Sequence, residues 1–248
     1  MIKLFVLDID GCITEPFVTP DWETITEIRN LQAQSKNDET IPELTLLTGR
    51  PYPYAEAVAQ WLNISRPFVF ESGGGLFDPV THTLEFSRFF TEDIQKQKEE
   101  LLLFAEQELI PVYQGVNMEF TKHTDVGLVS LNEEHIKDLF ERARKKVEDS
   151  YEDFEVHMTP VSINIICKYC HKGVGLEHIS NYTGIPLEEI AYIGDSSGDI
   201  NALKRAAKAF APANAIPKVH EISESLENET TKGVLEAYQK IIAENREG

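Results

Sequence analysis

The sequence predicts an α/β protein in which a Rossmann-like parallel sheet is interrupted by an inserted α+β segment. Two short apolar runs, within residues 4–11 and 190–199, end abruptly in carboxylates and glycine. An apolar run without polar alternation is typical of a strand buried on both faces of a parallel sheet. Strands and helices alternate on both sides of residues 83–168, whereas the pattern within those residues is different.

The first part of the chain has the order strand, helix, strand, helix, strand, with strands predicted at residues 2–8, 44–48 and 67–70. We expect Thr19 to cap the first helix, with Pro20 in its first turn. The glycine-rich residues 71–75 should form a turn. Apolar side chains recur at helical spacing in both intervening segments, namely Trp22, Ile25, Ile28 and Leu31, then Ala55, Val58 and Leu62. This alternation favours βαβ units.

Residues 83–168 are predicted to form a separate α+β domain with an antiparallel sheet. Thr91 should cap a helix that runs to about Leu109, and Asn132 should cap a second helix. Strand-like segments follow each helix, at 112–113, 117–121 and 126–131, and then at 154–157 and 161–167.

The first pattern resumes at Lys172, so we expect residues 1–82 and 169–248 to form one discontinuous domain. A helix should end at Gly184, because glycine readily adopts the left-handed conformation that stops a helix. A strand at 190–194, a short helix from about Asp199, a small strand at 209–211 and a last amphipathic helix complete the prediction.

The composition limits the possible partners and locations. The formal net charge is -19, which argues against general nucleic-acid binding because that requires a basic surface. No apolar run approaches the length of a membrane span, and the N-terminal residues lack the pattern of a signal peptide. We therefore expect a cytoplasmic protein with no nucleic-acid or membrane partner, either a monomer or a homodimer.

Three cysteines are too few for a disulfide framework. Cys167-Lys-Tyr-Cys170-His171 has the spacing of half a zinc site, but no second pair of cysteines completes it. Since Cys167 closes an apolar run, we interpret it as a buried thiol at the end of a strand.

Four aspartates at the ends of the two apolar runs predict a metal site. If the two strands are neighbours, Asp8, Asp10, Asp195 and Asp199 meet at one edge of the sheet, where ligands bind in open α/β folds. Crowded carboxylates repel one another, and proteins tolerate this mainly by binding a cation. An all-oxygen ligand set is best suited to Mg²⁺.

Four separated segments lie at strand ends or helix starts, namely Asp8-Ile9-Asp10-Gly11, Thr48-Gly49-Arg50, Lys172-Gly173 and Gly194-Asp195-Ser196-Ser197-Gly198-Asp199. In order and spacing they resemble the signature motifs of the haloacid dehalogenase (HAD) superfamily of phosphatases. The position of the insertion resembles that of a C2 cap domain, and its pattern is similar to the smaller C2B type found in phosphoglycolate phosphatases and sucrose-phosphatase-like hydrolases.

The resemblance implies a role for each residue of these motifs. Asp8 would be the nucleophile that forms an aspartyl-phosphate, and Asp10 the general acid and base. Mg²⁺ would be held by Asp8, the backbone carbonyl of Asp10, and Asp195. Thr48 and Lys172 would bind the transferring phosphate.

The remaining residues have less specific implied roles. Gly11, Gly49, Arg50 and Asn214 are expected near the substrate, and Arg50 could instead pair with an acid. Ser196 and Asp199 are expected to support the site. Asp199 could hold a metal-bound water, position Lys172, or simply cap a helix.

The resemblance implies a Mg²⁺-dependent phosphomonoesterase for a small phosphorylated metabolite, of the sugar phosphate or phosphoglycolate class. A phosphotransferase similar to phosphomannomutase is an alternative, because it shares the aspartyl-phosphate. A phospho-accepting signalling domain is a weaker alternative, because its acceptor aspartate would follow the third strand, where this chain has Glu71-Ser72-Gly73.

Overall fold

The computed structural model describes all residues 1–248, and the chain divides into two compact units. The first contains Met1–Glu85 and His171–Gly248, and the second contains Phe86–Cys170. The assignment of the second unit as a cap domain stays a prediction.

Strands and helices are numbered in chain order. The strands are β1 (Leu4–Leu7), β2 (Glu43–Leu46), β3 (Phe68–Phe70), β4 (Gly75–Asp78), β5 (Thr83–Phe86), β6 (Asn117–Met118), β7 (Val126–Val129), β8 (Phe154–Thr159), β9 (Ser162–Cys167), β10 (Ile190–Ile193), β11 (Lys208–Ala211) and β12 (Glu224–Ser225). The helices are α1 (Trp22–Gln34), α2 (Tyr52–Trp61), α3 (Glu92–Phe104), α4 (Glu133–Ser150), α5 (Lys172–Thr183), α6 (Ile200–Leu203), α7 (Pro217–His220) and α8 (Thr230–Glu247).

The first unit is built on a five-stranded parallel sheet with the order β12-β11-β10-β1-β2. Alternate residues of β1 belong to two different apolar clusters. Phe5 and Leu7 lie in one, and Leu4 and Val6 lie in the other. Both faces of the central strand are therefore covered, which explains the apolar run without alternation. The predicted α/β fold with a parallel sheet is confirmed.

The start of α1 differs from the prediction. Its N-cap is Asp21 rather than Thr19, and the Asp21 carboxylate accepts hydrogen bonds from the backbone N–H of Thr24 at 3.1 Å and from its hydroxyl at 2.8 Å. A carboxylate that accepts both donors satisfies the helix end, so Pro20 falls before the cap.

The segment after β3 also contains more structure than the predicted turn. Glu71–Gly73 form one 3₁₀ turn, and β4 then pairs antiparallel with β3. Three consecutive residues have positive φ angles, 48° at Glu71, 60° at Ser72 and 134° at Gly73. The two non-glycine residues hold backbone strain immediately beside the Thr48-Gly49-Arg50 segment, since the Ser72 N–H donates to the Thr48 carbonyl at 2.8 Å.

The second unit contains an antiparallel sheet with the order β6-β7-β9-β8. Thr91 and Asn132 cap α3 and α4, as predicted. The strand predicted at residues 112–113 is wrong, because α3 continues into the π-helical turn Ala105–Leu109 and the 3₁₀ turn Ile110–Val112. Proline at position 111 suits the first turn of such a helix and does not suit a central strand.

No helix combines the length and the apolar character that a membrane span requires.

The side chain of Asn245 links α8 to the start of the chain through hydrogen bonds. Asn245 Nδ2 donates to the carbonyls of Ile2 at 2.8 Å and Thr40 at 3.0 Å, and its Oδ1 accepts from the Ile2 N–H at 2.9 Å.

We predict that Asn245→Ala lowers the free energy of unfolding by about 1–3 kcal/mol, because three part-buried backbone groups lose a partner. Urea unfolding would measure this, with Gln239→Ala on the exposed face of the same helix as the control. Equal losses in the two variants would contradict the prediction.

Candidate active site

Two acidic turns meet at the carboxyl end of the parallel sheet. Leu7 of β1 is paired with Ile193 of β10, so the next residues of each strand emerge side by side. Asp8 follows β1 directly, and Asp195 follows β10 after one glycine. This neighbourhood is what the sequence predicted from two segments that are far apart in the chain.

Lys172 joins these turns through its ammonium group. Its Nζ lies 2.7 Å from Asp8 Oδ2 and 2.6 Å from Asp199 Oδ1, and the side chain is almost completely buried. Lys172 is the first residue of α5, whose N-cap is His171. Burial alone would lower the pKa of Lys172, but the charges of Asp199 and Asp8 outweigh it and hold that pKa above its usual range.

Each carboxylate oxygen of Asp199 accepts hydrogen bonds from two donors. Oδ1 accepts from Lys172 and, at 2.5 Å, from the hydroxyl of Tyr192. Oδ2 accepts from the backbone N–H of Ser196 at 3.0 Å and from its hydroxyl at 2.8 Å. Although burial disfavours its charge, the Lys172 ammonium and these donors hold the pKa of Asp199 below its usual value. Asp199 therefore fixes Lys172 in place.

One ammonium faces three carboxylates in this cluster. Ligand oxygens of Asp8, Asp195 and Asp199 lie within 4.8 Å of one another. Burial, followed by the charge of Asp199, raises the pKa of Asp8 well above its usual range and that of Asp195 to about 7. The excess negative charge is compatible with a divalent cation.

The donor set fits Mg²⁺, because it consists only of oxygens. Since both Asp199 oxygens already accept two hydrogen bonds each, Asp8 and Asp195 are the carboxylates that could hold the ion.

Two glycines permit this crowding. Gly11 has a φ of 75°, and a Cβ atom there would lie 2.2 Å from Asp195 Oδ2. A Cβ at Gly194 would lie 2.4 Å from Asp199 Cγ. Any larger residue at either position would displace a carboxylate of the cluster.

Asp10 has a different partner from Asp8. Arg50 binds its carboxylate with two hydrogen bonds, from Nε at 2.6 Å and from Nη2 at 2.7 Å. The guanidinium also lies over the ring of Tyr54, 4.8 Å from its centroid. Of the two alternatives for Arg50, the structure shows the pairing with an acid.

The other predicted residues line the same edge of the sheet. Thr48 is buried, and its Oγ1 accepts from the Arg50 N–H at 3.1 Å. Gly49 lies beside Ser72, whose Oγ would be 3.3 Å from a Cβ at that glycine. Asn214 donates to the Gly11 carbonyl at 2.9 Å and accepts from the Thr230 N–H at 2.8 Å, so it ties the Gly11 turn to the start of α8.

The sequence reasoning missed Tyr192. Its side chain is fully buried within β10, and its hydroxyl reaches the oxygen of Asp199 that also binds Lys172. A signal was present, because a tyrosine within a buried apolar run needs a partner for its hydroxyl.

The comparison with known protein families decides the assignment. Residues 89–237 match the family described as haloacid dehalogenase-like hydrolase. The chain belongs to this family.

Proteins named phosphoglycolate phosphatase are similar to this haloacid dehalogenase-like hydrolase over nearly their whole length. The protein from Saccharolobus solfataricus, named phosphoglycolate phosphatase 1, is 25% identical over 98% of this chain and 96% of its own. The one from Methanopyrus kandleri is 28% identical over 98% of this chain and 99% of its own.

Solved structures share the fold of this haloacid dehalogenase-like hydrolase. A Thermoplasma acidophilum protein superposes with a TM-score of 0.78 at 19% identity, covering 97% of this chain and 98% of its own. The sucrose-phosphatase from Synechocystis, solved with sucrose and phosphate, gives a TM-score of 0.70 at 12% identity, covering 97% and 98%. The predicted superfamily is confirmed.

The raised pKa of Asp195 has a consequence for stability in the absence of metal. Its value rises from 3.8 to about 7, so the folded protein binds this proton more tightly than the unfolded chain does. The stabilising contribution is present below about pH 4 and is lost as the pH rises towards 7. With a chelator present, we predict that wild type loses stability relative to Asp195→Asn over this interval, as measured by urea unfolding.

Asp21→Asn is the control, because the contribution of Asp21 to stability should change with pH in the opposite direction. Hydrogen bonds from Thr24 lower the pKa of Asp21, so its contribution is present above about pH 4 and is lost as the pH falls. Wild type should therefore lose its advantage over Asp21→Asn on acidification. A constant difference between wild type and Asp195→Asn across the whole interval would contradict the prediction for Asp195.

Proposed function

We propose that this protein is a Mg²⁺-dependent phosphomonoesterase that transfers the phosphoryl group of a small phosphorylated metabolite to Asp8 and then to water. The observation that carries the proposal is the contact of the Lys172 ammonium with Asp8, beside Asp195. A carboxylate attacks phosphorus only where the negative charge of the phosphate is neutralised. The ammonium and a cation on Asp8 and Asp195 would supply that neutralisation.

Phosphoglycolate is the first substrate that we propose. Relatives that align over nearly the whole chain carry the name phosphoglycolate phosphatase. Their identity of 25–28% leaves other small phosphate esters, including sugar phosphates, as the next candidates.

In the first step, one oxygen of Asp8 forms a bond to phosphorus while the bond from phosphorus to the ester oxygen breaks. Lys172 and the Thr48 hydroxyl would donate hydrogen bonds to the oxygens of the phosphoryl group, where charge accumulates. Bound Mg²⁺ would supply charge neutralisation and orientation of the phosphate.

Asp10 would handle the protons of both steps. It would donate a proton to the leaving oxygen, and would then accept one from the water that attacks the aspartyl-phosphate. Arg50 binds the Asp10 carboxylate through two nitrogens, which fixes its orientation. Arg50 thus acts in the proposal as a positioning residue.

Lys172 would in turn be positioned by Asp199 and Tyr192. The Tyr192 hydroxyl occupies the second acceptor site on Asp199 Oδ1 and so limits the directions from which Lys172 can bind. Asn214 would hold the Gly11 turn in place, because both polar ends of its side chain bind backbone groups.

We predict that Asp8→Asn abolishes phosphate release, because an amide is not a nucleophile for phosphorus. The assay is Mg²⁺-dependent phosphate release from phosphoglycolate, several sugar phosphates and an aryl phosphate, with and without chelator. Asp93→Asn, on the exposed first turn of α3, is the matched control and should retain full activity.

Two results would overturn the proposal. Release that persists in Asp8→Asn would exclude this residue as the nucleophile. A stable phosphate on Asp8 of wild type without turnover would favour a phosphotransferase or a signalling domain.

We predict that Tyr192→Phe lowers kcat about tenfold with little change in KM. The reason is that Lys172 loses its fixed geometry in the transition state, where its contact with the phosphoryl group matters most. Tyr238→Phe is the matched control, because it also removes one buried hydroxyl, which donates to the Pro42 carbonyl at 2.7 Å. Both variants should lose about 1–2 kcal/mol of stability.

Steady-state kinetics and urea unfolding of the two tyrosine variants distinguish a loss of Lys172 positioning from a general loss of stability. If kcat falls equally in both, the loss follows from general destabilisation, and Tyr192 has no specific role.

A further inference from the structure

The Cys167-Lys-Tyr-Cys170 segment forms a tight turn in the second unit. The Cys170 N–H donates to the Cys167 carbonyl at 2.8 Å. This hydrogen bond between the first and fourth residues is that of a β-turn, in which the two Cα atoms are less than about 7 Å apart. A disulfide usually joins Cα atoms about 4.4–6.8 Å apart, so the backbone already brings the two cysteines within the range of a bridge.

The two cysteines also share one environment. Both side chains are buried in the same apolar cluster of the second unit. Interaction with the Cys170 side chain, together with the backbone of Tyr169 and Cys170, lowers the pKa of Cys167 to about 7 despite its burial. Interaction with Cys167, together with burial, raises the pKa of Cys170. Of the two thiols, Cys167 is therefore the one that loses its proton more readily, and the thiolate is the form of cysteine that reacts.

A metal site does not explain this pair. Two sulfurs supply only half of a tetrahedral zinc set. The one group of metal-ligating side chains in the chain is the Asp8, Asp195 and Asp199 cluster of the first unit. The third cysteine, Cys12, is also in the first unit, so the two thiols have only each other as a covalent partner within their unit.

We propose that Cys167 and Cys170 are a redox-active pair that closes to a disulfide with a hydroperoxide as the oxidant. This proposal does not rest on the proposed phosphatase function.

The Cys167 thiolate attacks one oxygen of the peroxide. The O–O bond breaks, and the leaving oxygen takes up a proton to become water or an alcohol, leaving Cys167 as a sulfenic acid. The sulfur of Cys170 then attacks that of Cys167, and the S–OH bond breaks. The hydroxide leaves with the proton of Cys170 as water. Two thiols and one hydrogen peroxide thus give one disulfide and two molecules of water, and an alkyl hydroperoxide gives one water and one alcohol.

Burial limits which oxidants can react. The exposed fraction is 1% for Cys167 and 0% for Cys170, whereas Tyr169 between them is 48% exposed. The turn therefore lies at the surface while its sulfurs point inward. A molecule as small as hydrogen peroxide fits this arrangement better than a bulky disulfide does.

The experiment uses the full chain, reduced and then freed of reductant. Native protein is treated with hydrogen peroxide, denatured in an alkylating reagent and digested with trypsin. Cleavage after Lys168 separates the two cysteines into the peptides Val147–Lys168 and Tyr169–Lys172. We expect these two peptides to remain joined until a reductant is added, whereas the peptide that carries Cys12 is alkylated.

Variants identify the mechanism. Cys12→Ser is the matched control and should still give the joined peptides. Cys170→Ser should give none, and its Cys167 should be captured by a reagent specific for sulfenic acids. Full alkylation of both cysteines in treated wild type, or joined peptides that form only when peroxide is added to urea-unfolded chain, would overturn the proposal.

Discussion

The buried ammonium of Lys172 is the interaction on which the rest of the site depends. Carboxylate oxygens of Asp8, Asp195 and Asp199 lie within 4.8 Å of one another at the end of the sheet. The Lys172 ammonium is the positive group that contacts two of them, Asp8 and Asp199. Like charges at such a distance, removed from water, oppose folding unless they are neutralised. Lys172 offsets part of this repulsion, while burial and then the charge of Asp199 raise the pKa values of Asp8 and Asp195. The same imbalance that destabilises the metal-free site favours a divalent cation.

The fold assembles this cluster from parts that are distant in sequence. The parallel pairing of β1 with β10 sets the two acidic turns side by side, and α5 begins with the lysine that joins them. The absence of a Cβ atom at Gly11 and Gly194 lets Asp195 and Asp199 approach the neighbouring backbone. The register of two buried strands therefore sets where each acidic turn begins. Fixed starting points suit chemistry in which a displacement of about 1 Å is costly.

The sequence allowed the parallel sheet and the meeting of Asp8 with Asp195 to be predicted, because each rests on a local pattern with a simple physical cause. Apolar runs without alternation indicated buried strands, and the carboxylates after them indicated the edge where ligands bind. The partner of each polar group could not be predicted in the same way. The choice between Thr19 and Asp21 as cap, the strain at Glu71 and Ser72, and the hydrogen bond from Tyr192 all depend on side-chain geometry. Asp21 and Thr24 are three positions apart, and Tyr192 and Asp199 are seven apart, so proximity in sequence alone does not select the partner. The backbone conformation of each turn decides which side chains can reach each other.

The two aspartates that follow β1 show how one strand end can supply two chemically different carboxylates. Asp8 is 4% exposed and is held by an ammonium that it shares with a second acid. The Asp10 side chain is 35% exposed and is held by a guanidinium through two nitrogens. A nucleophile must stay fixed in line with phosphorus, whereas a group that exchanges protons with a leaving oxygen and then with water needs access to solvent. Under the proposed function, the burial of Asp8 suits the first role and the exposure of Asp10 suits the second. Each of the two carboxylates has its own positive partner, Lys172 for Asp8 and Arg50 for Asp10.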